Sequence, residues 1–213
     1  FVEENAQISF NMVHDYNTEY MIYPRSASKV DKNGIFISSY ICLNEVKSVQ
    51  MAPTAYLVGE NAIARFSSVL LSSNPNTILD IGSTAIIEAK NCRTEMLARA
   101  LTKNGIIINR GKIVSHVPNT FGHIECQGLV LGGNGYIRSI PEIEAGPDAE
   151  LSHEASVGKI DQEKIDYLMC RGINKDNAVS TIVRGFLDIS IKGIPQSLQD
   201  EISDIMEQAS HGL

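Results

Sequence analysis

The sequence predicts a mainly β chain, a parallel β-helix followed by a small C-terminal α-helical subdomain, with a β-sandwich or barrel as the alternative for its first part. Three observations support this. Residues 8–145 break into short runs rich in Ile, Val, Phe and Tyr, bounded by turn-forming residues. Gly59, Gly82, Gly105 and Gly128 recur at intervals of 23 residues, each beside an apolar run. A fixed spacing of this order is what stacked coils leave in a sequence. After Gly158 the apolar period changes from that of strands to that of helices, which divides the chain into residues 1–157 and 158–213.

In chain order, the clearest strand segments are residues 34–41 (GIFISSYI), 64–71 (ARFSSVLL), 84–89 (TAIIEA) and 105–108 (GIII). The turns are marked by DKNG at 31–34, SNPN at 73–76 and GGNG at 132–135. In residues 123–131 (HIECQGLVL), side-chain alternation puts Ile124, Cys126 and Val130 on one face and His123, Glu125 and Gln127 on the other. Cys126 therefore points into the coil, where a free cysteine most often serves as a small buried hydrophobe. Glu144, Asp148, Glu150 and Glu154 gather around Gly146-Pro147, mostly as a solvated edge.

Beyond Gly158, Asp161 suits an N-cap; Ile165, Leu168 and Met169 make an apolar stripe; and Gly172 suits a C′ stop. A second helix is expected from about Lys175 to Leu187, with Ala178, Val179, Ile182, Val183 and Phe186 on one side. A third is expected over residues 195–210, opened by Pro195 and lined by Leu198, Ile202, Ile205 and Met206. The stripes either pack on one another and on the coil end or leave a patch for a partner.

Composition narrows the function. The net charge of -7, with no basic stripe, argues against gripping a phosphate backbone. No apolar run approaches the roughly 20 residues needed to span a bilayer, and no signal-peptide pattern is visible. The chain begins at Phe1 rather than Met, consistent with an upstream portion outside this sequence. Cys42, Cys92, Cys126 and Cys170 are scattered and form no C-x-x-C pair, which suits free thiols in a reducing, cytoplasmic compartment. No phosphate-binding loop, G-x-S-x-G elbow or H-E-x-x-H pair is present. What remains is a soft-ligand set of Cys126, His153 and Glu154, with His116 and His123 nearby in sequence. Thiolate, imidazole and carboxylate together suit iron or an iron–sulfur cluster if folding unites them.

Residues 150–160 (ELSHEASVGKI), then Tyr167-Leu168, Arg171-Gly172-Ile173 and residues 178–186 (AVSTIVRGF), closely resemble the C-terminal signature of the SufB/SufD family of iron–sulfur cluster assembly proteins. The resemblance looks continuous from about residue 106 to 212. It implies a right-handed parallel β-helix and a helical C-terminal domain that docks a SufC-type ABC ATPase. It also implies protomers that pair through their β-helices, as a homodimer or a SufB/SufD-type heterodimer, and sulfur donor proteins as partners. The ATPase would supply nucleotide-driven motion, so this chain is expected to be an assembly scaffold rather than an enzyme. By resemblance, Cys126 matches the SufB cysteine that accepts sulfur and helps hold the transient cluster. Glu154 matches an acidic SufB residue implicated in assembly, and His153 lies where SufD presents a histidine to the same interface. Cys126 and Glu154 are thus the expected reacting residues, and Cys126, His153 and Glu154 the expected ligands of iron and cluster. SufD-like chains tend to carry Gly in place of Glu154, which favours a SufB-like scaffold over a SufD-like structural partner that recruits the ATPase without holding a cluster. The chain lacks the amino-terminal cysteine motif of longer SufB proteins, so it is expected to be either a C-terminal portion of such a protein or a compact variant. A β-helix carbohydrate enzyme would need paired carboxylates on an exposed coil face, and no clear pair is seen.

Overall fold

The computed structural model describes residues 1–14, 19–43 and 46–187. The helix expected over residues 195–210 lies outside these. The strands are β1 (Gln7–His14), β2 (Met21–Ile22), β3 (Ala27–Val30), β4 (Ile35–Cys42), β5 (Ser48–Met51), β6 (Thr54–Leu57), β7 (Ile63–Ser72), β8 (Ile78–Ile87), β9 (Arg93–Thr102), β10 (Ile106–Ser115), β11 (Thr120–Val130), β12 (Tyr136–Ala145) and β13 (Ala149–Lys159). Two helices follow, α1 (Gln162–Cys170) and α2 (Lys175–Leu187).

The strands build a β-solenoid of about five turns. One sheet runs β1-β4-β7-β9-β11-β13 and the other β12-β10-β8-β5-β2, with β3 and β6 extending the second beside β8. All pairing is parallel, so each coil hydrogen-bonds to the coils above and below it. Aligned residues lie 27 to 30 apart: Ala27 pairs with Thr54, Ile35 with Ile63, Ile63 with Arg93, and Arg93 with Phe121. The coil repeat is therefore longer than the 23-residue glycine spacing. Gly59 follows β6, Gly82 sits within β8, Gly105 precedes β10 and Gly128 lies in β11, so these glycines do not stack. Their regular spacing is a coincidence in a chain with 16 glycines.

The repeat is carried instead by asparagine. Asn5, Asn33, Asn61, Asn91 and Asn119 all have positive φ, between 54° and 61°, and they recur at the coil spacing. Asparagine tolerates this left-handed backbone better than other side-chain-bearing residues. Asn61 Nδ2 donates to Asn33 Oδ1 and Asn33 Nδ2 to Asn5 Oδ1, both at 2.9 Å, so the amides ladder up one corner. Their backbone N–H groups also bridge coils, as from Asn33 to Glu60 O at 2.9 Å. Asn61→Ala puts a Cβ-bearing residue without the amide into left-handed backbone and breaks the ladder. A loss of about 2 kcal/mol is expected, read as a fall of roughly 4–8 °C in Tm. Asn61→Gly, which keeps the backbone geometry, should lose less.

Inward residues of the facing sheets fill the coil. One apolar cluster holds Phe66, Met96, Ile113, Ile124 and Cys126, and a second holds Leu70, Leu79, Ile81, Ile107 and Ile137. Outside the coil, Val183 and Leu187 of α2 pack on Ile41, Val69, Leu71, Leu101 and Leu129, so the helix covers one flank of the first sheet. The helix boundaries follow local chemistry. The Asp161 side chain accepts from Glu163 N at 3.0 Å, Gly172 takes φ 88° just past the C-cap, and Asn174 Oδ1 accepts from Asn177 N at 2.9 Å. Of the α1 stripe only Ile165 is buried; Met169 and Tyr167 face solvent.

Candidate functional site

Cys126 lies on the inner face of β11, 2% exposed, between Ala98 of β9 and Ala155 of β13 in register. Burial pushes its thiol up to about 11, the neighbouring Glu125 charge adds to the rise, and Arg99 opposes it. Arg99 and Glu125 form an ion pair at 2.7 Å. A cavity of about 20 Å³ adjoins Cys126, lined also by Phe66, Ile81, Met96 and Ile124. That is room for a single water-sized atom.

His153 and Glu154 lie on β13, opposite Ile124 and Glu125 of β11. A Cβ added at Gly122 would meet Leu151, and one at Gly128 would meet Val157, so the odd-numbered residues of β13 point inward. His153 therefore shares the inner face with Cys126, on the strand one coil nearer the end. It is exposed because β13 is the outermost strand of its sheet. Glu154 points outward in the row of Glu125 and is also exposed. The fold thus brings Cys126 and His153 to one inner surface and places Glu154 behind it.

His116 and His123 lie apart from this surface. His123 points outward, its Nδ1 2.9 Å from Ser152 Oγ, and His116 Nε2 meets Glu144 Oε1 at 3.0 Å near a turn. Among the described residues no group of three or more His, Cys, Asp or Glu side chains is placed to hold a metal ion. Among the described residues, then, this inner surface carries a thiol and an imidazole as donors, beside the last strand of the sheet.

Sequence reasoning passed over two polar residues opposite the thiol, Asn109 of β10 and Ser139 of β12. They are neighbours in register. Asn109 is 1% exposed, and neither of its amide atoms, nor Ser139 Oγ, has a hydrogen-bond partner among the described residues. Alternation along the apolar run at Gly105 puts Asn109 inside, but only the coil register shows what it faces.

The family profile described as SUF system FeS cluster assembly, SufBD core domain, matches residues 1–186. An iron-sulfur cluster assembly SufBD family protein of Archaeoglobus fulgidus is 48% identical over 214 residues, covering 100% of this chain and 58% of the relative. Similarly named proteins of Methanothermobacter thermautotrophicus (strain Winter) and Pyrococcus horikoshii are 39% and 32% identical over the whole chain, which covers 52% and 48% of their lengths. The chain thus spans about half the length of the curated relatives it matches. With a solenoid core matched from its first residue and whole-chain identity reaching 48%, this chain belongs to the SufBD family of iron–sulfur cluster assembly proteins.

Proposed function

We propose that this chain is a SufB-like scaffold on which sulfur and iron are combined into a transient iron–sulfur cluster. The observation that carries the reading is the placement of Cys126, an inward thiol one strand below the end of the solenoid, with His153 on the same inner surface. Sulfur enters as cargo. The Cys126 thiol attacks the outer sulfur of a donor persulfide, a new S–S bond forms on Cys126, and the donor leaves as a thiol that takes up the Cys126 proton. Burial keeps the resting thiol protonated and away from oxidants. His153 offers an imidazole nitrogen to incoming iron. Glu154, on the outer face, acts on groups that approach from that side rather than on Cys126 of its own chain.

Nucleotide chemistry is assigned to a SufC-type ABC ATPase that docks on the helices. Exposed Tyr167 and Met169 of α1 support this, because they present apolar surface outside the solenoid core. Pairing of two SufB/SufD-type protomers at the open edge of β13 would bring a second ligand set to Cys126 and His153. Anaerobic reconstitution with iron and sulfide is expected to give a visible iron–sulfur chromophore that Cys126→Ser abolishes and His153→Ala weakens. An undiminished chromophore in Cys126→Ser would overturn the assignment. A cluster that forms only when a second SufB-type chain is added would favour the SufD-like partner role.

A further inference from the structure

Three close approaches fix which residues face one another across the coil interior. An added Cβ at Gly111 would meet Ile124 Cγ2 at 2.8 Å, one at Gly122 would meet Ile113 Cδ1 at 3.0 Å, and one at Gly128 would meet Ile137 Cγ2 at 3.0 Å. Ile137 is the register partner of Ile107. On β10, Asn109 lies between Ile107 and Gly111; on β11, Cys126 lies between Ile124 and Gly128. Asn109 and Ser139 therefore stand opposite Cys126, at the gap between the two apolar clusters.

An amide buried with neither its N–H₂ nor its C=O partnered is costly for a fold, and an apolar residue of similar size would remove that cost. An unpartnered amide opposite a buried thiol points to a guest that it binds. We propose that Asn109 and Ser139 form the hydrogen-bonding wall of a seat for the outer sulfur of a Cys126 persulfide. The inference rests on the reading of Cys126 as sulfur acceptor and adds how the sulfur is held. The guest matches the wall in charge. A persulfide carries its negative charge on the outer sulfur, to which the Asn109 N–H₂ and Ser139 O–H donate. Asn109 and Ser139 are positioning residues: they hold the cargo in place while Cys126 makes and breaks its bond.

The test uses the whole chain in a Cys170→Ser background, since Cys170 is the exposed thiol. Protein is loaded with inorganic polysulfide and desalted, and the sulfane sulfur on the Cys126 peptide is followed by mass while cyanide removes it. Asn109→Leu is expected to shorten the lifetime of that sulfur about tenfold, and Ser139→Ala by a smaller factor. Asn109→Ser, which restores a donor, should recover part of the loss that Asn109→Val does not. Melting curves of all variants separate this from a structural effect, because Asn109→Leu is expected to melt no lower than the parent. Unchanged lifetimes in both Asn109→Leu and Ser139→Ala, with the parent loading normally at Cys126, would overturn the seat while leaving Cys126 as acceptor. Absence of any sulfane at Cys126 in the parent would overturn both.

Discussion

Raising the pH from about 8 to about 12 is expected to remove about 5 kcal/mol of folding stability through two buried thiols, Cys42 and Cys126. Burial pushes both from the ordinary 9.0 to about 11. Below about pH 8 each thiol is protonated in the folded and unfolded chain alike, so neither contributes to pH dependence. Above that the unfolded chain releases its protons while the folded chain keeps them. The folded state then binds more protons, and stability falls until the folded thiols themselves ionise. At about 1.4 kcal/mol per unit, two thiols shifted by about two units account for the total. Urea unfolding at a series of pH values reads the slope. Cys42→Ala combined with Cys126→Ala should flatten it relative to the parent, whatever the variant's starting stability. An equally steep decline in that variant would rule the thiols out as its source.

The second large effect is expected at Gly59. A Cβ there would lie 1.9 Å from Lys32 N and 2.4 Å from Asp31 C, both backbone atoms of the preceding coil. No rotamer change relieves such an overlap, so the coils must separate locally. They would strain bonds such as Gly59 N to Val30 O at 3.3 Å and Cys92 Sγ to Gly59 O at 3.2 Å. Gly59→Ala is expected to cost about 3 kcal/mol or more, a fall in Tm of roughly 6–12 °C. Gly158→Ala provides the contrast. An added Cβ there meets nothing within 4 Å, and its melting curve should overlay the parent's.

Gly59 also shows why the glycine spacing led to the right fold class for the wrong reason. Glycine marks close approach in this chain, and close approaches occur at different points of successive coils. The residues that must repeat at the coil length are those in left-handed corner backbone, and here they are asparagines. That 28- to 30-residue asparagine period was legible in the sequence. β9 illustrates the opposite case. Its sequence RTEMLARALT is rich in helix formers, yet it forms a strand in which Ala100 is buried in the coil interior and Leu101 is buried on the other face under α2.

The sequence by itself determined the β character of the first part, the inward direction of Cys126, the two helices with their caps at Asp161 and Gly172, and the family resemblance at residues 150–186. These depend on alternation, capping chemistry and motif, all of which are local. Only the tertiary structure decided which neighbours those residues meet. Coil register sets His153 beside Ile124, on the inner face with Cys126, and Glu154 beside Glu125 on the outer face. The same register sets Asn109 and Ser139 against Cys126, from strands that local sequence gives no reason to pair. In a solenoid each strand is a near-identical apolar run, so the side chains a thiol faces depend on the length of the coil, which no single run encodes.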